Sequence, residues 1–159
     1  MTLASVFGSI TIAFGFAVVG LLINYILMNL PFYDRLSHLN FIRSDKANKY
    51  LGVLYFRQML ITSFWRHFNP KIKITGRATH SQLLNLRREM TYAEISHLVA
   101  FLCVLAVAVF AYRYKPHNMA VVPLLISNVL FHFYPALVQQ YNKRRLDVLL
   151  TRIKNNTRT

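Results

Sequence analysis

Apolar residues in this chain gather into three long runs separated by basic, mixed stretches. The first spans about residues 4–30, with Asn24 as its one strongly polar interior residue. It exceeds the roughly 20 residues a membrane-spanning helix needs. No Lys or Arg precedes it, it is too long for the core of a signal peptide, and no small-residue cleavage site follows, so it reads as a true span. The second run covers about 91–112 and the third about 119–140. The short link Arg113-Tyr114-Lys115-Pro116-His117-Asn118 predicts that these last two spans are antiparallel neighbours. The stretch from Tyr50 to about residue 66 is apolar but short, edged by aromatics and interrupted by Arg57 and Gln58. Such a segment predicts an interfacial or re-entrant helix rather than a span. Asn69-Pro70 and Thr75-Gly76 punctuate a loop, and the run from Ser81 starts a helix that continues into the second span. Past the third span, Leu146, Leu149, Leu150 and Ile153 recur at helical spacing amid Arg144, Arg145, Arg152 and Lys154. That pattern predicts a basic amphipathic helix on the membrane face over 143–159. The fold class is therefore an all-α integral membrane protein, a single domain over 1–159.

The third run is unusual in its polar content. At 100° per residue, Asn128, His132, Pro135, Gln139 and Asn142 fall within about 40° of one line along the helix, and Tyr134, Tyr141 and Arg145 form a second line. Polar residues at membrane depth are costly and are tolerated where they have a partner or a task. The run thus reads as a span with a polar seam that becomes wetter toward its basic end.

Charge refines this picture. Nineteen Lys and Arg face five Asp and Glu, a net +14 in 159 residues. The basic residues flank hydrophobic segments and no nucleic-acid module is recognisable, so anionic membrane lipid or an anionic acyl donor is the expected counterpart, not nucleic acid. With three spans, eleven basic residues lie between the first two spans and six in the tail, all on one side, against two in the short link. A four-span arrangement divides them twelve to six and buries Arg57 in the membrane. The three-span arrangement obeys the positive-inside rule far better and puts the basic loop and C-terminus in the cytoplasm of a multi-pass cell-membrane protein. The single Cys103 lies inside an apolar run, where it reads as a small buried residue.

Antiparallel packing of the last two spans would set Glu94 and His97 at the level of Gln139, Tyr141 and Asn142. Glu94 and His97 are three residues apart and share a helix face, and Glu94 is the one carboxylate at membrane depth. Glu94 can orient or charge His97, and His97 can take a proton from a hydroxyl. A structural ion pair is the competing reading of the same two residues. For His132 a hydrogen-bonded structural role is favoured, and for Asn128 a role in helix packing. His38, His67, His80 and His117 read as loop or interface residues with no metal-ligand spacing. A di-iron site would need a second Glu-x-x-His and further carboxylates, so no metal is expected. Ser96 and Ser127 lack an assembled base and acid, which favours direct transfer over a covalent acyl-enzyme. A reductase or methyltransferase would call for a glycine-rich phosphate loop, and none is present. A non-enzymatic lipid-binding or accessory subunit, with the seam contacting a partner helix, is the alternative to an enzyme.

Ala93-Glu94-Ile95-Ser96-His97-Leu98, an apolar hairpin carrying Asn128, and Gln139-Gln140-Tyr141-Asn142-Lys143-Arg144-Arg145-Leu146 together carry a family resemblance. They resemble the A-E-L-x-H-W and Q-R-Y-N-R-x-R-L elements of the glycosyl-4,4'-diaponeurosporenoate acyltransferases of staphyloxanthin-type carotenoid synthesis. The likeness covers about two thirds of the chain. Leu98 stands in place of Trp, and Gln140 and Lys143 in place of Arg. His132-Phe133-Tyr134-Pro135 also departs from the family pattern. The resemblance implies a membrane acyltransferase that esterifies a hydroxyl of a glycosylated isoprenoid or other glycolipid. Its acyl group would come from an activated thioester, with acyl-CoA or an acyl carrier protein as co-substrate and no bound cofactor. By motif it implies catalytic roles for His97 and Glu94. Asn128, Gln139, Tyr141, Asn142 and Arg145 would contact substrate, with His132 added from the seam. It leaves the acceptor, the acyl chain and the oligomeric state open.

Overall fold

The computed structural model describes residues 2–63, 79–115 and 120–156, and every regular element among them is helical. In chain order these are α1 (Leu3–Leu27), α2 (Tyr33–Leu36), α3 (Asp45–Tyr50), α4 (Val53–Thr62), α5 (His80–Tyr114), α6 (Val121–Asn128), a π-helical turn (Val129–Phe133) and α7 (Tyr134–Asn156). Among the described residues, three helical stretches are long and apolar enough to cross a membrane: α1, α5, and the continuous run from Val121 to Asn155. This is the all-α architecture with three candidate spans that the hydrophobic pattern predicts. Trp65, His67, Asn69-Pro70, Thr75-Gly76, and Pro116, His117 and Asn118 of the short link lie outside the described residues.

Local chemistry sets the boundaries. The Thr2 hydroxyl accepts from the Ser5 N–H at 3.2 Å and starts α1. Before α5, Thr79 and Gln82 form a reciprocal capping box: the Gln82 N–H donates to Thr79 Oγ1 at 3.3 Å and the Thr79 N–H to Gln82 Oε1 at 2.9 Å. From there α5 runs unbroken through the second apolar run, as expected of the helix beginning near Ser81. Pro123 sits in the first turn of α6, where a missing N–H costs nothing. The segment from Tyr50 is divided: Tyr50 closes α3, Gly52 adopts φ 73°, and α4 begins at Val53. Left-handed backbone here favours glycine, and the Gly52 N–H caps the Lys49 carbonyl at 3.1 Å. With ten residues, α4 is about 15 Å long, half the hydrocarbon thickness. The basic tail is not a separate helix. With no Gly or Pro after Pro135, α7 continues from the third apolar run to Asn156.

The chain forms two compact units, Met1–His38 with Ala93–Ala136, and Leu39–Tyr92 with Leu137–Thr159. In the first, α1 buries a stripe of small or compact polar residues, Ser9, Ala13, Gly20 and Asn24. A Cβ on Gly20 would lie 2.4 Å from the Ser96 carbonyl oxygen and 2.9 Å from Ala100 Cβ, so the α1 and α5 backbones meet there. Close approach through small residues is how helices associate when lipid supplies no hydrophobic drive. Farther along, Val104, Ala108 and Leu124 form a core completed by Phe16, Val107 and Val121. The outward faces are apolar as well, with Phe7, Leu22, Ile26, Leu102 and Phe110 all exposed. An apolar core under an apolar surface is the pattern of a bilayer span.

In the second unit the segment joining α2 to α3 is held by side chains of α7. The Phe41 N–H donates to Gln140 Oε1 at 2.9 Å, and Arg144 donates to the Ile42 carbonyl and to Asp45 Oδ1, the latter at 3.3 Å. Asn48, fully buried, donates to the carbonyls of Ile42 at 3.2 Å and Ser44 at 2.8 Å.

Gly20→Val is expected to destabilise the detergent-solubilised protein by at least the roughly 1–3 kcal/mol typical of overpacking. Gly8→Val and Gly15→Val, which meet open space, are expected to leave it near wild type. Thermal unfolding followed by circular dichroism compares the three.

Candidate functional site

The polar residues of the first unit converge on α6 and the π turn. Asn24 Nδ2 donates to Ser96 Oγ at 3.0 Å, tying α1 to α5. Asn128, fully buried, donates through Nδ2 to the Phe101 carbonyl at 3.0 Å. His132 is 1% exposed and bonds the Ala13 carbonyl through Nε2 at 3.0 Å. A carbonyl only accepts, so Nε2 carries the hydrogen and the neutral ring's lone pair is on Nδ1. The His97 and His132 rings lie with centroids 6.0 Å apart. His97 is half-buried. Glu94, on the same helix, has no solvent exposure.

The π turn has an evident cause. Pro135 has no N–H to give the Phe131 carbonyl four residues back, and its ring would clash with that carbonyl in an α-helix. The turn widens instead, and the Tyr134 N–H donates to the Val129 carbonyl five residues back. One consequence corrects the seam. An uninterrupted helix would bury Pro135, Gln139 and Asn142; the residues one place later, Ala136, Gln140 and Lys143, are buried instead, beside Leu137, Val138 and Leu146. Gln139 and Asn142 are half-buried.

Within the second unit, Arg57 Nε–H donates to Asn142 Oδ1 at 3.1 Å. Arg87 on α5 pairs with Asp147 on α7 at 2.5 Å. The guanidinium carbons of Arg144 and Arg145 lie 5.7 and 5.9 Å from the centre of the Tyr141 ring, within cation–π range. Arg144 is engaged with Asp45, whereas Arg145 is exposed.

Of the residues singled out in the sequence, Glu94, His97, Asn128 and His132 belong to the first unit, and Gln139, Tyr141, Asn142 and Arg145 to the second. The structure brings His97 and His132 together, and sets Tyr141 beside Arg145. Sequence reasoning missed Gln140, Lys143, Arg57 and Arg144. Pro135 was the available signal for the first two, because a proline inside a helix shifts its phase. The partners of Arg57 and Arg144 lie 85 and 99 residues away in sequence, and local periodicity carries no information on them.

The chain matches the family described as glycosyl-4,4'-diaponeurosporenoate acyltransferase over residues 31–152. It belongs to that family. The description names acyl transfer to a glycosylated carotenoid, in agreement with the resemblance carried by the Glu94-to-His97 and Gln139-to-Leu146 elements. The matched region holds every candidate site residue and begins beyond the end of α1. No curated protein and no solved structure matches the chain.

A double-mutant cycle on Arg57→Ala and Asn142→Ala is expected to give a coupling of about 1 kcal/mol, the size of one partly buried hydrogen bond. Denaturant unfolding in micelles measures it, and additive single effects would show the pair to be energetically idle.

Proposed function

We propose that this protein transfers a fatty acyl group from an activated thioester to a hydroxyl of a glycosylated isoprenoid, with His97 as the general base. The observation that carries this reading is the placement of the His97 ring. It is half-buried, its centre lies 6.0 Å from that of His132, and the fully buried Glu94 is one turn away on the same helix; in its neutral form the ring offers one nitrogen as a lone pair. That nitrogen takes the hydroxyl proton as the acceptor oxygen attacks the thioester carbonyl. The tetrahedral intermediate then collapses, the carbon–sulfur bond breaks, and the departing thiolate receives the proton from His97. The products are an ester and a free thiol. Glu94, one turn earlier on α5, steadies the imidazolium that forms in between.

Asn128 and His132 are positioning residues in this reading, since their hydrogen bonds go to the Phe101 and Ala13 carbonyls. The substrate contacts fall to Gln139, Tyr141, Asn142 and Arg145. Arg145, exposed and with its guanidinium carbon 5.9 Å from the Tyr141 ring centre, suits the phosphates of acyl-CoA or the acidic surface of an acyl carrier protein. The basic loop and the end of α7 face the cytoplasm, where such donors and anionic lipid headgroups occur. An accessory, non-catalytic role is the second reading. It is supported by the hydrogen bonds of Asn24, Asn128 and His132, which are all spent between helices.

The test is lipid mass spectrometry of cells expressing wild type, His97→Ala or His97→Gln at matched membrane levels. Gln stays polar and close to His in size but cannot act as a base. Both variants are expected to lose a lipid species one fatty acyl group heavier than its precursor, by about 100-fold or more. Full product with His97→Gln would end the base assignment, and no acyl difference between wild type and His97→Ala would favour the accessory role. For orientation, single cysteines at Thr151 and Lys115 on a Cys103→Ser background are expected to differ. Only the one at position 115 should react with an impermeant thiol reagent applied to intact cells.

A further inference from the structure

Two buried side chains of the third helical run each give a hydrogen to backbone and keep an acceptor in hand. Asn128 has no solvent exposure and His132 is 1% exposed. Asn128 donates from Nδ2 to the Phe101 carbonyl and His132 from Nε2 to the Ala13 carbonyl, each at 3.0 Å. A carbonyl only accepts, so these bonds fix the orientation of the amide and the tautomer of the ring. Asn128 Oδ1 and His132 Nδ1 remain as lone-pair groups with no hydrogen-bond partner among the described residues. Four residues apart, they lie on one face of the run. Buried polar atoms are ordinarily satisfied, and an acceptor between apolar helices is costly to leave unmade.

The pair selects for one chemistry. A carbonyl or ether oxygen would set lone pairs against lone pairs, whereas an O–H supplies the hydrogen both groups need. An ammonium also carries hydrogens, but its charge is expensive at membrane depth. The His97 and His132 ring centres are 6.0 Å apart, which keeps their nitrogens out of direct hydrogen-bond reach of one another. Hydroxyls are what connect polar groups across such separations.

We propose that Asn128 Oδ1 and His132 Nδ1 form a buried binding site for a hydroxyl, filled by an ordered water or by a hydroxyl of the lipid to be acylated. The site rests on the acyl-transfer reading for the identity of that hydroxyl, not for its existence. Held there, a sugar hydroxyl is chosen over an analogue lacking it, because the analogue leaves both acceptors unpaired. The helix-to-helix bonds of Asn128 and His132 then have a second use, since they turn the two acceptors toward a ligand in a fixed orientation.

The experiment uses the full chain, ¹⁵N-labelled at histidine, in micelles of dodecyldimethylamine oxide, a detergent with no O–H. The His132 ring signals are identified by their loss in His132→Gln. Wild type is expected to carry hydrogen on Nε2 alone, with Nδ1 displaced from the position of a free imine nitrogen toward that of one accepting a hydrogen bond. If the donor is water, the displacement is present in amine oxide alone and magnetisation passes from water to the ring. If the donor is a lipid hydroxyl, the displacement develops as octyl β-glucoside is added and not with further amine oxide. In Asn128→Ala and Asn128→Val protein that folds, the Nδ1 signal should return toward the free position while the Nε2 hydrogen stays. A free-imine Nδ1 in wild type under both conditions would overturn the inference, as would a hydrogen on Nδ1. A displaced Nδ1 unmoved by the Asn128 substitutions would overturn the shared site. A displaced Nδ1 beside full acylation by His97→Gln would uphold the site and end the base assignment. A free Nδ1 beside acylation lost in His97→Gln would do the reverse.

Discussion

Hydrocarbon offers no hydrogen-bond partner, and that constraint governs the first unit of this protein. Each polar side chain carried into an apolar helix has to be answered, by its own helix as Ser9 is by the Ser5 carbonyl or, where the side chain is longer, by another. Asn24 is answered by Ser96, Asn128 by the Phe101 carbonyl, His132 by the Ala13 carbonyl. These bonds need the helices to lie close, and the absence of a side chain on Gly20 permits it. Polar pairing and close approach therefore support one another.

The second unit spends its charge differently. A net +14 suggests a surface waiting for anions, but three of the arginines have internal work. Arg144 holds the segment before α3, Arg57 holds Asn142, and Arg87 holds Asp147. Arg145 is exposed, with its guanidinium carbon 5.9 Å from the centre of the Tyr141 ring. Partial exposure and screening keep each surface pair weak, so their value is in fixing geometry rather than in adding stability.

Much of this was legible beforehand. Long apolar runs gave the three candidate spans, and the uninterrupted pattern after Ser81 announced the single helix α5. Glu94, His97 and His132 stood out because polar groups are rare at such positions. What periodicity could not supply was phase. The seam through Gln139 and Asn142 assumed a constant 100° per residue, and the π turn at Pro135 moved burial to Gln140 and Lys143. Gly52 likewise divided a run that hydropathy treats as one segment. The distant pairings of Arg57, Arg144 and Gln140 depend on how loops return to α7, which no local rule encodes.

The contact between His132 and the carbonyl of Ala13 has a bearing on how this protein can change over time. The partner is main chain, so it survives any substitution at position 13 that keeps the residue small enough for the helices to touch. Most of α1 around it faces outward with Phe, Leu, Val and Ile, side chains that lipid accepts interchangeably. Outside the buried positions Ser9, Ala13, Gly20 and Asn24, the helix can exchange one apolar side chain for another while continuing to hold a buried imidazole in place. The family match begins only after α1, at residue 31. A contact made to the backbone leaves little for sequence comparison to recognise.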